Sequence, residues 1–162
     1  MKRMEQAAAK PLGIDALRAR AGEVIGTSPW LLIEQSRINA FAEATLDHQF
    51  IHVDPARAQA TPLGSTIAHG FLTLSLLSHF AEAVLPDISS LAMSMNYGFD
   101  RVRFVAPVRT GSRIRGVFSL VALEQQAANR FQMRLAVTVE IEGEVKPALV
   151  ADWQTVLFMV QD

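Results

Sequence analysis

Cysteine is absent from the 162-residue chain. That excludes disulfide staples, thiolate metal sites and a cysteine nucleophile together. A surplus of charge is missing as well: 15 Lys and Arg stand against 16 Asp and Glu. No basic field draws nucleic acid to the surface, and no acidic run marks a solvating tail. The chain also lacks a membrane-length apolar segment, for which about twenty residues suffice. Its longest apolar run, Ile67 to Leu85, is interrupted by His69, Thr73, Ser75, Ser78, His79 and Glu82, and no basic cluster flanks it. The opening MKRMEQAAAK carries positive charge with no apolar segment behind it, so it does not read as a signal peptide. A cytoplasmic protein without membrane or nucleic-acid partners is expected. Repeats and low-complexity tracts are absent too.

What is present is a core. Half of the residues are apolar, enough for one domain over 1–162, with residues 1–12 expected to be loosely ordered. The stretch Asp47 to Leu85 organises the rest. Asp47, His48, His52 and Asp54 crowd into its first eight residues, and the apolar run follows. Apolar residues on nearly every side predict a buried helix from about Ile67, stopped by Pro86.

Upstream, a short helix is expected over Ile14–Arg20, ended by Gly22, and a strand over Trp30–Ile33. A second helix is expected from Ser36 as N-cap, with Ile38, Phe41, Ala42 and Thr45 on one face, stopping near Asp47. Asp54-Pro55 reads as a cap and first position of another short helix. Beyond Pro86 the pattern turns to strands. Ser90–Tyr97 and Arg101–Phe104 are expected as two short ones broken by Gly98, followed by Ser112–Glu124. Phe131–Glu142 alternates strictly, with Phe131, Met133, Leu135, Val137, Val139 and Ile141 on one face. One face should be buried and the other wet. Gly143-Glu144 reads as a hairpin turn into a last strand, Pro147–Val160. One-sided strands need a cover and an apolar helix needs a wrapping. Both needs are met by an α+β hot-dog fold, a curved antiparallel sheet around a central helix.

Three groupings could carry chemistry. Asp47 and His52 converge only if the helix ends near Asp47 and the chain turns back; converged, they could act on one water as an acid/base pair. The plain alternative is a helix-end Asp and a hydrogen-bonded core His. His48 and His52 have helical metal-ligand spacing, but Gln49 stands where a zincin has Glu, and no third ligand is evident. At His69-Gly70, the missing side chain of Gly70 permits close approach to backbone N–H groups at a helix start. That is the requirement for an oxyanion hole; close packing would also require a Gly.

Together the run FAEATLDHQFIHVDPARAQATPLGSTIAHGFLTLSLL and the later MNYGFDRVRFVAPVRTGSRIRG resemble the MaoC-like dehydratases. These are the (R)-specific enoyl-CoA hydratases, and the similarity is greatest to their NodN-like branch. The resemblance runs from about Ser36 to the C-terminus. It implies that Asp47 and His52 are the catalytic pair, that the Gly70 N–H is the oxyanion donor, and that Phe104 lines the acyl-CoA site. Gln49 stands for the family's Asn, with its amide still available to substrate, and Phe50 for the usual Pro. The implied reaction is reversible syn hydration of a trans-2-enoyl-CoA, or acyl carrier protein thioester, to the (R)-3-hydroxyacyl form. No metal or other cofactor is implied, and a homodimer is expected. Two alternatives stand beside it: a hot-dog thioesterase, and an acyl-binding subunit without turnover.

Overall fold

Strict alternation along one strand, Arg130–Ile141, builds the floor of the molecule. In the computed structural model, which describes residues 10–160, its odd-numbered residues from Phe131 to Ile141 are all buried. Gln132, Arg134, Ala136, Thr138 and Glu140 face the other way and are only partly covered. A one-residue slip would expose all six apolar side chains, so the pattern fixes the register.

The elements in order are α1 (Ile14–Arg18), β1 (Val24–Thr27), β2 (Leu31–Leu32), α2 (Gln35–Thr45), α3 (Phe50–Val53) and α4 (Pro55–Gln59). There follow α5 (Gly70–Ser75), α6 (Leu77–Val84), β3 (Leu91–Phe104), β4 (Arg113–Ala127), β5 (Arg130–Ile141) and β6 (Leu149–Met159). The strands form one antiparallel sheet in the order β1-β4-β5-β6-β3, with β2 paired to β4. Leu72, Leu77, Phe80 and Ala81 of the central helices meet Phe118, Leu120, Leu135 and Trp153 of the sheet in the core. Contact is tightest where glycine permits it: a Cβ at Gly26 of β1 would lie 2.6 Å from Val84 of α6. This is the hot-dog arrangement of the α+β class.

Several expectations are corrected. The central helix starts at Gly70, is interrupted at Leu76, and keeps one wet side, since Phe71, Ser75, Ser78, His79 and Glu82 are exposed. The sheet covers one face of it, and Ser75, Ser78, His79 and Glu82 occupy the other, while Thr73 is buried. The helix expected from Ser36 begins at Gln35, with Glu34 at the cap position and no side-chain cap bond. The two strands expected either side of Gly98 are one strand, β3, which absorbs irregularities at Asn96/Gly98 and Phe99/Arg101 as bulges. Strand β1 was absent from the sequence pattern because its four residues, VIGT, are too few to show a period. The link after β5 is longer than a two-residue turn; Gly143, at φ 79°, bends the chain and β6 begins at Leu149. Asp54 does cap α4, accepting from the Arg57 N–H at 3.0 Å. Of the lead-in, residues 1–9 lie outside the described residues, while Leu12 is tied to Asp87 and Ser89 by backbone bonds of 2.8 and 2.9 Å.

The two faces of β5 should differ sharply on truncation. Leu135→Ala removes a side chain that is 1% exposed and should cost about 2–5 kcal/mol. Thr138→Ala, on the partly covered face, should stay within about 0.5–1 kcal/mol. Urea denaturation of both variants measures the difference.

Candidate active site

Helix α2 ends through Leu46, a non-glycine residue at φ 61° and ψ 23°. That left-handed conformation costs a branched residue about 1–2 kcal/mol. It reverses the chain, so the next residue, Asp47, leaves the helix axis. Three residues later the single turn of α3 begins, and the His52 N–H donates to the Gln49 carbonyl at 2.9 Å. The turn-back needed for Asp47 and His52 to converge is therefore formed. One ligand atom each of Asp47, His52 and His69 lies within 4.8 Å of the others.

His52 is 7% exposed. Its Nδ1 lies 2.7 Å from the Ile67 carbonyl; a carbonyl only accepts, so Nδ1 carries the proton and Nε2 the lone pair. Burial pushes its pKa below the ordinary 6.5, assisted by the neighbouring His69 and opposed by the Ile67 bond and the Asp47 carboxylate. The segment bearing it is held from two more sides. The Ile67 N–H donates to Ile51 O at 3.0 Å, and Gln35 Nε2 donates to His52 O at 2.7 Å. The Gln35 amide oxygen in turn accepts from the buried Thr66 hydroxyl. Asp47 differs, with its side chain about half exposed.

His69 completes the cluster from the opposite strand of chain. It is 2% exposed, and its ring stacks on His52 with centroids 3.8 Å apart and planes 25° apart. Its Nε2 donates to the Asp47 carbonyl at 2.9 Å and lies 4.0 Å from that residue's carboxylate. Two imidazoles and a carboxylate invite comparison with a metal centre. Zinc, however, binds in the plane of an imidazole at about 2.0–2.1 Å, and stacked, nearly parallel rings do not converge on one ion.

Gly70 is the first residue of α5, and its N–H has no acceptor among the described residues. A methyl at this position would come within 2.9 Å of the Phe104 ring. Phe104 in turn meets Phe71 edge-on at 5.8 Å, and both rings are largely exposed. The close-packing reason for Gly70 thus holds alongside the open N–H.

The remaining candidates fall outside this group. Gln49 is exposed, and its backbone N–H reaches Asp47 Oδ1 at a long 3.4 Å. Its side-chain amide touches none of the three residues. His48 turns away, pairing with Glu43 at 3.6 Å, so the His48–His52 metal pairing is not formed. Sequence reasoning missed the contacts of His69 with both members of the pair, and it missed Gln35 and Thr66 altogether. A histidine heading an apolar run was a visible signal for the first; nothing in the pattern marked the other two.

Comparison with known proteins shows the family and the fold. The family model described as a MaoC like domain matches residues 17–143. Nodulation protein N of Rhizobium meliloti is 51% identical over 143 residues, covering 88% of this chain and 89% of that protein. The 3-hydroxyacyl-thioester dehydratase Z of Mycobacterium tuberculosis is 48% identical over 136 residues, covering 84% and 89%. Among solved structures, a protein of an Archaeoglobus species described as a monoamine oxidase regulatory protein superposes with a TM-score of 0.78 at 24% identity, over 95% of this chain and 99% of that one. With the family model matched from residue 17 to 143 and relatives about half identical over most of both chains, the chain belongs to the MaoC-like dehydratase family.

Proposed function

We propose that the protein is a hydro-lyase that reversibly adds water to a trans-2-enoyl thioester, giving the (R)-3-hydroxyacyl product. The observation that carries this reading is the pairing of a buried imidazole presenting a bare Nε2 with a half-exposed carboxylate, their atoms within 4.8 Å. Two acceptors at that spacing hold a water by both its protons, leaving its lone pair for C3. As the water oxygen bonds C3, one of its protons passes to the pair and the pair gives a proton to C2, while the other stays on the new hydroxyl. The pair ends in its starting state. Negative charge grows on the thioester oxygen meanwhile, and the Gly70 N–H is the donor that meets it. Gln49 and Phe104 are assigned to the substrate side, Gln49 through an exposed amide and Phe104 through its ring beside Gly70.

A homodimer is part of this reading. Strand β3 is 14 residues long and ends the sheet with an edge that no strand pairs among the described residues, and Met93, Met95, Tyr97 and Phe99 are exposed along it. A long apolar edge of this kind is a template for pairing with another chain, and a second copy of this chain is the partner proposed. No helix among the described residues is long and apolar enough to cross a membrane.

The deciding assay offers enoyl-CoAs of increasing length and identifies the product. A 3-hydroxyacyl-CoA supports the proposal; free CoA would make the protein a thioesterase, and binding without consumption a non-catalytic subunit. Within the hydratase reading, Asp47→Asn and His52→Gln should each lower kcat by about 10²–10⁴-fold with the fold intact by circular dichroism. The two groups serve one water, so the double variant should lose far less than the product of the single losses.

Acidity should act through His52. Its neutral form is the base, and burial holds its pKa below 6.5. The hydration rate should therefore be flat through neutrality and fall only as pH drops below 6.5, a limb that a pH profile of kcat/KM would show. Gly70→Ala should fold, since the exposed Phe104 ring can swing aside. The added methyl should weaken binding and turnover together, with a loss of up to about 10²–10³-fold in kcat/KM.

A further inference from the structure

We infer that His69 is a positioning residue for the Asp47–His52 pair, a role that rests on the hydratase reading for the reaction it serves. The His69 Nε2–H donates to the Asp47 main-chain carbonyl at 2.9 Å, and its ring face carries the His52 ring at 3.8 Å. Phe41 of α2 leans on the same ring at 5.0 Å. Its own carbonyl receives the N–H groups of Leu72 and Thr73 at the start of α5. The following residue is Gly70. One imidazole thus links the carboxylate, the base and the oxyanion donor, which arrive from three different segments.

Space filling does not account for this choice. A residue 2% exposed in an apolar run is normally aliphatic. His69 instead buries a second nitrogen, Nδ1, that meets no partner among the described residues, and an unpaired buried polar atom is destabilising. The return is geometric. Asp47 follows the strained turn at Leu46, where the carboxylate has no side-chain donor to orient it; the backbone bond from His69 fixes its base. The stacked ring fixes the plane of His52, whose Nδ1 bond to Ile67 leaves rotation about that bond free. His69 touches neither the reacting carbons nor the water in this account.

The experiment compares the full-length wild type with His69→Phe, which keeps a flat ring but deletes the donor, and His69→Gln, which keeps an amide N–H but deletes the stack. Steady-state kinetics on a trans-2-enoyl-CoA gives one readout. The other is ¹⁵N NMR of the imidazoles, which does not depend on turnover. The wild type should show His69 protonated at Nε2 and His52 at Nδ1. Both variants should lose kcat by about 10²-fold, as a displacement near 1 Å costs, with KM little changed. In His69→Gln the His52 signals should depart from a single tautomer. Wild-type kcat per folded molecule in both variants, with His52 unchanged, would reduce His69 to packing and leave the hydratase reading intact. A wild type inactive on enoyl thioesters whose His52 signals still depend on His69 would reverse that outcome: the reaction falls and the positioning stands. Should neither variant fold, the wild-type spectrum decides, since His69 protonated at Nδ1 would overturn the inference.

Discussion

The hydrogen bond from His52 Nδ1 to the Ile67 carbonyl, 2.7 Å long, is the contact on which the site depends. It joins α3 to the segment entering α5, and with the Ile67 N–H on Ile51 O it forms a two-way clasp between those segments. It also decides chemistry, because it places the proton on Nδ1 and leaves Nε2 as an acceptor. Burial of the ring then keeps that acceptor unprotonated at neutral pH. One contact sets the position, the tautomer and, with burial, the charge of His52.

Around that clasp, most buried polar groups are held by a hydrogen-bond partner. Gln35 uses one amide to reach Asn39, the His52 carbonyl and Thr66, so the start of α2 is tied to the histidine segment. Partly satisfied networks of this kind are costly and therefore specific about geometry. The His69 Nδ1 has no partner among the described residues, although it lies within the Asp47–His52–His69 cluster. The sheet supplies the rigid half of the arrangement. Phe80 packs over Gly116 and Val84 over Gly26, where an added Cβ would come within 3.0 and 2.6 Å, and the central helices are pressed onto β1 and β4 at those points.

Much of this was legible in the sequence because it rests on local rules. The buried face of β5 follows from a period of two. Asp54-Pro55 announces α4 by capping chemistry alone, and Asp47 and His52 are marked by their place in a motif. The central helix was misread in part, since composition reports how apolar a run is and leaves open which side meets the sheet. The continuity of β3 past Gly98 was hidden for a related reason: a bulge is an agreement between two strands, and one strand's sequence does not contain it.

Sequence by itself determined the fold class, the buried face of β5 and the family resemblance, because periodicity and short-range spacing are written along the chain. Tertiary structure alone decided that His52 and His69 stack, that Gln35 reaches a carbonyl 17 residues away, and that Phe104 comes to rest against Gly70. Each of these depends on segments brought together by packing, through backbone carbonyls and ring faces that every residue of their type possesses. Such groups carry no sequence signature, and only the folded arrangement makes them specific.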